Sequence, residues 1–261
     1  IENKQELEKI FEENEIDAVI NLAARAGVRK SLENPYVYLS TNVNGTLNLL
    51  EIMKDRSIKK FVLASSSSLY AGQEPPFSED MPVNKPISPY AATKKAAEML
   101  CYTYHHLFDI DVTVLRYFTV FGPAGRPDMS YFRFISSIMK GKPVTIYGDG
   151  KQKRDFTYIG DIAAGTVKAL SKKGFDIINL GGGNEPVSII YMIRIIEFLI
   201  DRKAKINFED FHNADMKLTS ASIQKAQKVL NWKPENDFEE GIKKTVQWFK
   251  DNKALLNRIE I

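Results

Sequence analysis

The sequence predicts an α/β fold, a doubly wound parallel sheet followed by a smaller C-terminal lobe. Three observations predict it. Amphipathic helical stretches alternate with short apolar runs through the first half of the chain, the pattern of helices crossing between parallel strands. The 261 residues, 44% hydrophobic and 26% charged, suffice for one large core and a lesser one. After Phe121 the alternation gives way to a Gly/Pro-rich loop, GPAGRPD, which marks a change of architecture. The expected division is a sheet domain over residues 1–122 and a lobe made mainly of residues 123–261, some of whose segments return to the sheet.

Residues 4–14 place Leu7, Ile10 and Phe11 on one helical face, and the apolar run at 18–24 follows as a buried strand. The step repeats with a helix over 42–54 and a strand over 60–64 that ends in the run Ser65, Ser66, Ser67, Ser68. In the third step Ser88 and Pro89 start a helix over 90–108, since Ser caps well and Pro is pre-set for the first helical position. Residues 112–116 are the next strand. In the lobe an amphipathic helix runs to Lys140, and helices are expected over 161–170, 187–200, 222–230 and 238–252, the last two on the surface.

Lys and Arg number 36 against 33 acidic residues, a net charge of +3. That balance argues against a nucleic-acid partner. A single cysteine, Cys101, excludes a disulfide framework, and no apolar run reaches the roughly 20 residues a membrane span needs. A cytoplasmic protein without a membrane partner is expected. Ile1 stands where an initiator Met would and no signal segment follows, so the sequence reads as part of a longer chain.

Chemistry concentrates in Ser88-Pro89-Tyr90-Ala91-Ala92-Thr93-Lys94. Tyr90 and Lys94, four apart on a helix, share a face. A phenol with an unperturbed pKa near 10 is a poor base at neutral pH, and an adjacent ammonium favours its phenolate. The four serines end a buried strand, where ligands bind in parallel sheets. Their hydroxyls either donate to a substrate oxygen or merely cap the strand exit.

The segments VINLAARAGVR at 19–29, TNVNGTLNLLE at 41–51, FVLASSSSLYA at 61–71, SPYAATK at 88–94, LRYFTVFGP at 115–123 and RDFTYIGDI at 154–162 resemble, in this order, the extended short-chain dehydrogenase/reductase family. The branch they resemble is that of NAD-dependent sugar epimerases and dehydratases, with a Rossmann-type sheet. The resemblance implies NAD as cofactor and a catalytic triad of Ser66, Tyr90 and Lys94. It places Leu22, Ala23, Ala24, Asn42, Ala64, Ser65, Tyr117 and Phe118, with Tyr90 and Lys94, along the cofactor. Ser67 and Ser68 are implied to face the sugar. In the lobe it implies a nucleotide diphosphate site, with Val144, Thr145, Ile146 and Tyr147 lining the base and Arg154 on phosphate, supported by Asp155 and Tyr158. Lys151, Lys153 and Arg154 are otherwise a basic surface run.

The loop GRPDM, followed by Tyr131 and Phe132, resembles the branch acting on UDP-glucuronate, which implies epimerisation at C4 through a 4-keto sugar. Thr119, Arg126 and the serines would then surround the C5 carboxylate; alternatively Arg126 is solvated and the loop only turns the chain. A neutral UDP-hexose 4-epimerase, a UDP-glucuronate decarboxylase and a nucleotide-binding scaffold are the alternatives. Ser67 and Ser68 stand where a dehydratase carries its acid pair, which disfavours water elimination. The family's Gly-rich phosphate turn is not in the sequence, and roughly two units of about 30 residues are expected ahead of Ile1. The family pattern also differs at Ala71, Gly160, His212 and Ser222. By resemblance a homodimer forms through the helices at 42–54 and 90–108.

Overall fold

Along the chain of the computed structural model the elements run α1 (Lys4–Glu13), β1 (Ala18–Asn21), α2 (Lys30–Glu33), α3 (Pro35–Tyr38), a π-helical stretch Leu39–Asn44, α4 (Gly45–Asp55), β2 (Lys60–Ser66), a 3₁₀ turn Ser67–Tyr70, α5 (Pro89–Phe108), β3 (Asp111–Tyr117), β4 (Thr119–Phe121), α6 (Ser130–Lys140), β5 (Pro143–Tyr147), β6 (Lys153–Arg154), β7 (Phe156–Tyr158), α7 (Ile159–Lys168), a 3₁₀ turn Ala169–Ser171, β8 (Phe175–Leu180), β9 (Val187–Ser188), α8 (Ile189–Ile200), β10 (Lys205–Glu209), α9 (Gln224–Leu230), α10 (Phe238–Asp251) and α11 (Lys253–Leu256). The structure describes residues 1–211, 215–256 and 258–259; His212 lies outside them. Two units are formed. The first comprises Ile1–Tyr117, Ala164–Leu180 and Ser222–Trp232; the second Phe118–Ala163, Gly181–Ala221 and Lys233–Ile261.

In the first unit β1, β2, β3 and β8 lie side by side in that order, all parallel. Ser66, Tyr117 and Leu180 stand level at the carboxyl ends of β2, β3 and β8. Phe11, Leu50, Met53, Phe61, Leu63, Ala97, Cys101 and Val114 form the core that α1, α4 and α5 share with the sheet. Each large apolar side chain so buried contributes about 1.5–3 kcal/mol. In α5 the Ser88 hydroxyl accepts the Ala91 amide at 3.2 Å, Pro89 holds the first position, and Asp109 ends the helix in the left-handed region. Such a cap stabilises a helix by about 1 kcal/mol.

The strand expected at 18–24 stops at Asn21 and is not buried throughout. Val19 packs into the core, whereas Ile20 is 36% exposed and Leu22, beyond the strand, 60%. Ile10 is likewise half exposed, α1 burying only Phe11 and part of Leu7. The helix expected from residue 42 begins as the wider π turn, and Val187–Ser188, expected in a helix, pair antiparallel with Lys153–Arg154. Ser188 then caps α8 by accepting the Tyr191 amide.

The second unit is held by Phe121, Phe132, Ile135, Val144, Ile146, Ile193, Ile242 and Phe249, with β5 parallel to β10 and β4 parallel to β7. No helix among the described residues is long and apolar enough to cross a membrane.

Candidate active site

The centre of the first unit is built where β2 ends and α5 begins. Lys94, only 5% exposed, donates from Nζ to the Ala64 carbonyl at 2.8 Å. Burial pulls its pKa down to about 8, against the charge of Glu98 that favours the ammonium. One of its three N–H bonds is thereby used for positioning. Ser66, the last residue of β2, accepts the Ser68 amide at 3.1 Å and so caps the following turn. Its own O–H proton is not consumed by that bond. Tyr90 begins α5 one turn before Lys94; its ring meets that of Tyr38 edge-on, with centroids 6.2 Å apart. Ser65 has another use: its hydroxyl donates to Glu98 Oε1 at 2.6 Å inside the core.

A second group fixes the loop after β1. Asn21 Oδ1 accepts the Ala23 amide, while Asn42 accepts from the Arg25 amide at 2.8 Å and donates to the Arg25 carbonyl at 3.0 Å. Asn42 also donates to Thr93 on α5 at 3.1 Å, tying this loop to the helix of Tyr90 and Lys94. Tyr38 donates to the carbonyls of Ala26 and Gly27. Leu22 and Ala23 are exposed along this held backbone. Small, fixed and open residues at the carboxyl end of a parallel strand suit an extended dinucleotide, which needs close backbone approach there. The residues present therefore fit NAD: the 22–24 segment and Asn42 would face it, and Lys94 keeps donors for a ribose. Tyr117 ends β3 with its hydroxyl 2.8 Å from Thr166, and burial raises its pKa to about 12.

In the second unit the Thr119 amide donates to the Asp155 carbonyl at 3.1 Å. Asp155 is buried and gathers three segments: it accepts the Ala221 amide at 2.8 Å, the Gly182 amide, and the Thr157 hydroxyl. Burial pushes its carboxyl up, and these amides oppose the shift. A Cβ at Gly182 would stand 2.8 Å from the Asp155 carboxylate, so this position has no room for a side chain. Arg154, the preceding residue, donates from Nη1 to the Lys153 carbonyl and stays partly exposed. Val144 and Ile146 point into the core at 1% exposure, while Thr145 and Tyr147 alternate onto the other face of β5. A base lying on β5 would meet those two side chains. Arg126 forms a fork with Asp128 inside its own loop, Nε to Oδ1 at 3.0 Å. Phe118 is buried, its ring beside Gly181, and Tyr158 packs edge-on against Phe121.

Sequence reasoning passes over Tyr38, Tyr70, Glu98 and Arg116. Two signals were present: Arg116 is a cation inside the apolar strand VTVLRY, and Glu98 follows Lys94 by one helical turn. Glu98 and Arg116 form a bidentate ion pair, Nε to Oε1 at 2.9 Å and Nη2 to Oε2 at 2.8 Å, with both side chains 1% exposed.

Residues 1–181 match the model of the NAD dependent epimerase/dehydratase family. A UDP-glucuronate 4-epimerase of Thermodesulfobacterium geofontis is 61% identical over 261 residues, covering all of this chain and 81% of that protein. The crystal structure of UDP-glucuronic acid 4-epimerase from Bacillus cereus, in complex with UDP-glucuronic acid and NAD, is 40% identical with a TM-score of 0.86, covering 94% of this chain and 78% of that one. A UDP-glucose 4-epimerase from Thermotoga maritima with UDP-glucose is 28% identical with a TM-score of 0.90, covering 97% of this chain and 83% of that one.

Proposed function

The chain belongs to the NAD dependent epimerase/dehydratase family, and from that premise we propose that it interconverts UDP-glucuronate and UDP-galacturonate at C4. The observation that carries the reading is the buried Lys94, tied to Ala64 one turn along α5 from Tyr90, with the serine turn beginning two residues beyond Ala64. The 61% identical relative and the Bacillus cereus enzyme, both named for UDP-glucuronate, support the substrate.

NAD, when bound, would supply the hydride acceptor and donor. Tyr90 takes the proton of the C4 hydroxyl as the C4 hydride leaves, and returns it when the hydride comes back to the opposite face of the ring. Lys94, charged, favours the phenolate that this proton transfer needs. The Ser66, Ser67 and Ser68 hydroxyls donate to the C4 oxygen and its neighbours, holding the 4-keto sugar in place. That ketone is a β-keto acid, which loses CO₂ when the carboxylate bond lines up with the carbonyl π system. Thr119 and Arg126 are the proposed partners that hold the carboxylate out of line. Arg154 is the proposed phosphate ligand, since a guanidinium fork matches phosphate oxygens.

Because Arg126 already pairs with Asp128, a neutral UDP-hexose is the second reading. Proton NMR of UDP-glucuronate, and separately UDP-glucose, with the full-length protein and catalytic NAD decides between them. The expected result is growth of UDP-galacturonate that Tyr90→Phe abolishes. Turnover of UDP-glucose alone would transfer the assignment to the neutral sugar. We also propose a homodimer, supported by the exposed Met99, Tyr102 and Leu107 on α5. A reducing cytoplasm suits Cys101, a buried free thiol.

A further inference from the structure

We propose that the buried Glu98–Arg116 ion pair is a positioning device for the serine turn, gripping Ser65 before it and Tyr70 after it so that the Ser66–Ser68 hydroxyls stand in one place. The proposal deepens the reading of this centre as an epimerase site and rests on it.

Ser65 donates to Glu98 Oε1 at 2.6 Å, and Arg116 Nη1 donates to the Tyr70 hydroxyl at 2.8 Å. The same guanidinium holds both Glu98 oxygens, so the two anchors of the turn meet on one rigid pair. The Tyr70 hydroxyl passes its own proton to Asn179 Oδ1 at 2.8 Å, and Asn179 Nδ2 donates to the Phe77 carbonyl at 3.0 Å. Stacking of Tyr70 on Phe77 at 5.0 Å and the Arg116 guanidinium over the Tyr70 ring, also at 5.0 Å, close the arrangement. Ser65, Tyr70, Glu98, Arg116 and Asn179 are each no more than 4% exposed.

Stability alone does not call for such a construction. Charges taken out of water are costly, and well-packed apolar residues of like volume often do as well or better. What the pair adds is direction: a bidentate fork has one geometry, and each remaining donor or acceptor points at one end of the turn. Tyr90, Lys94 and Glu98 are successive fourth residues of α5, one above the other on the same face. Lys94 takes the Ala64 carbonyl and Glu98 takes the Ser65 hydroxyl, adjacent residues of β2. The helix that carries the proposed base therefore also sets the register of the serine turn, and Arg116 on β3 extends that hold to its far end.

Ser65→Ala and Tyr70→Phe each release one end of the turn and leave the ion pair, while Ser65→Thr keeps the hydroxyl and serves as rescue. In the full-length holoenzyme, kcat for the epimerisation is expected to fall roughly 10- to 100-fold in Ser65→Ala and Tyr70→Phe, the scale of a misplaced catalytic group. UDP affinity by calorimetry stays within about twofold in both, NAD content does so in Tyr70→Phe, and Ser65→Thr recovers most of kcat. Hydrogen exchange across residues 67–71 speeds up while that of 89–108 does not. Unaltered kcat and exchange in both variants, or loosening spread equally over 89–108, would overturn the brace. If wild-type protein turns over no UDP-sugar, the functional reading fails, and exchange confined to 67–71 still decides the brace.

Discussion

Burial takes the Lys94 ammonium down to about 8, below its ordinary range, although Glu98 faces it and favours the charge. A lysine whose folded pKa is lowered is charged at the expense of stability below about pH 8, and that cost disappears as the pH rises toward its unfolded value. For catalysis the direction is opposite, since Tyr90 loses its cationic neighbour as Lys94 deprotonates. The alkaline limb of kcat/KM is expected to fall with an apparent pKa near 8. In Lys94→Arg, whose guanidinium keeps its charge, that limb should vanish while the maximal rate drops, because a planar fork cannot reproduce a point donor on the Ala64 carbonyl. A wild-type profile that stays flat through about pH 9.5 would remove Lys94 as the titrating group. That Tyr90 and Lys94 share a face of α5 was legible in the sequence, because a spacing of four on a helix needs no tertiary information. The use of Ser65 was not, since four consecutive serines carry no mark of which one a distant carboxylate takes.

Short elements were hardest to read, and one of them joins two functions. The four residues of α3 give no sequence periodicity, yet its Tyr38 reaches the carbonyls of Ala26 and Gly27 with its hydroxyl and the Tyr90 ring with its edge. Removing the two parts separately should separate two effects. Tyr38→Phe keeps the ring and releases the loop, so NAD is expected to bind more weakly, by roughly the 0.5–1.5 kcal/mol of one hydrogen bond, with kcat at saturating NAD preserved. Tyr38→Leu loses the ring as well, and kcat should then fall too. Equal NAD affinity in wild type and Tyr38→Phe, measured by fluorescence titration, would free the loop from Tyr38. The long elements show the contrary case: α5 announces itself by Ser88, Pro89 and a run to Phe108 without a breaker, and its bounds are those expected to within one residue. β1 misled because an apolar run does not mark where pairing stops: the strand ends at Asn21, and the backbone after it is held by Asn21 and Asn42 instead.

At the scale of the whole molecule, the parallel sheet was legible from three repeated steps, whereas the short strands of the second unit were not, because β4, β6, β7 and β9 are two or three residues long. Such strands are made by partners distant in sequence and leave no alternation to detect. Resemblance named the helices at 42–54 and 90–108 as the dimer contact, and the exposure of α5 supports that proposal. Its inner face buries Ala97, Cys101 and Tyr104, while Met99 is 55%, Tyr102 52% and Leu107 61% exposed on the outer one. A helix apolar on two faces is one that expects cover on both. A stable dimer would bury about 800 Å² per protomer, which three such side chains and their neighbours can supply the centre of. Met99→Glu combined with Leu107→Glu places two charges in that centre and should yield a monomer by sedimentation velocity, with thermal stability that no longer rises with protein concentration. A wild-type protein that sediments as a monomer at micromolar concentration, or a charged variant that remains dimeric, would move the subunit contact off α5. Since α5 also carries Tyr90 and Lys94, a true interface there predicts that the monomeric variant loses turnover as well as mass, through the same helix that its partner had held.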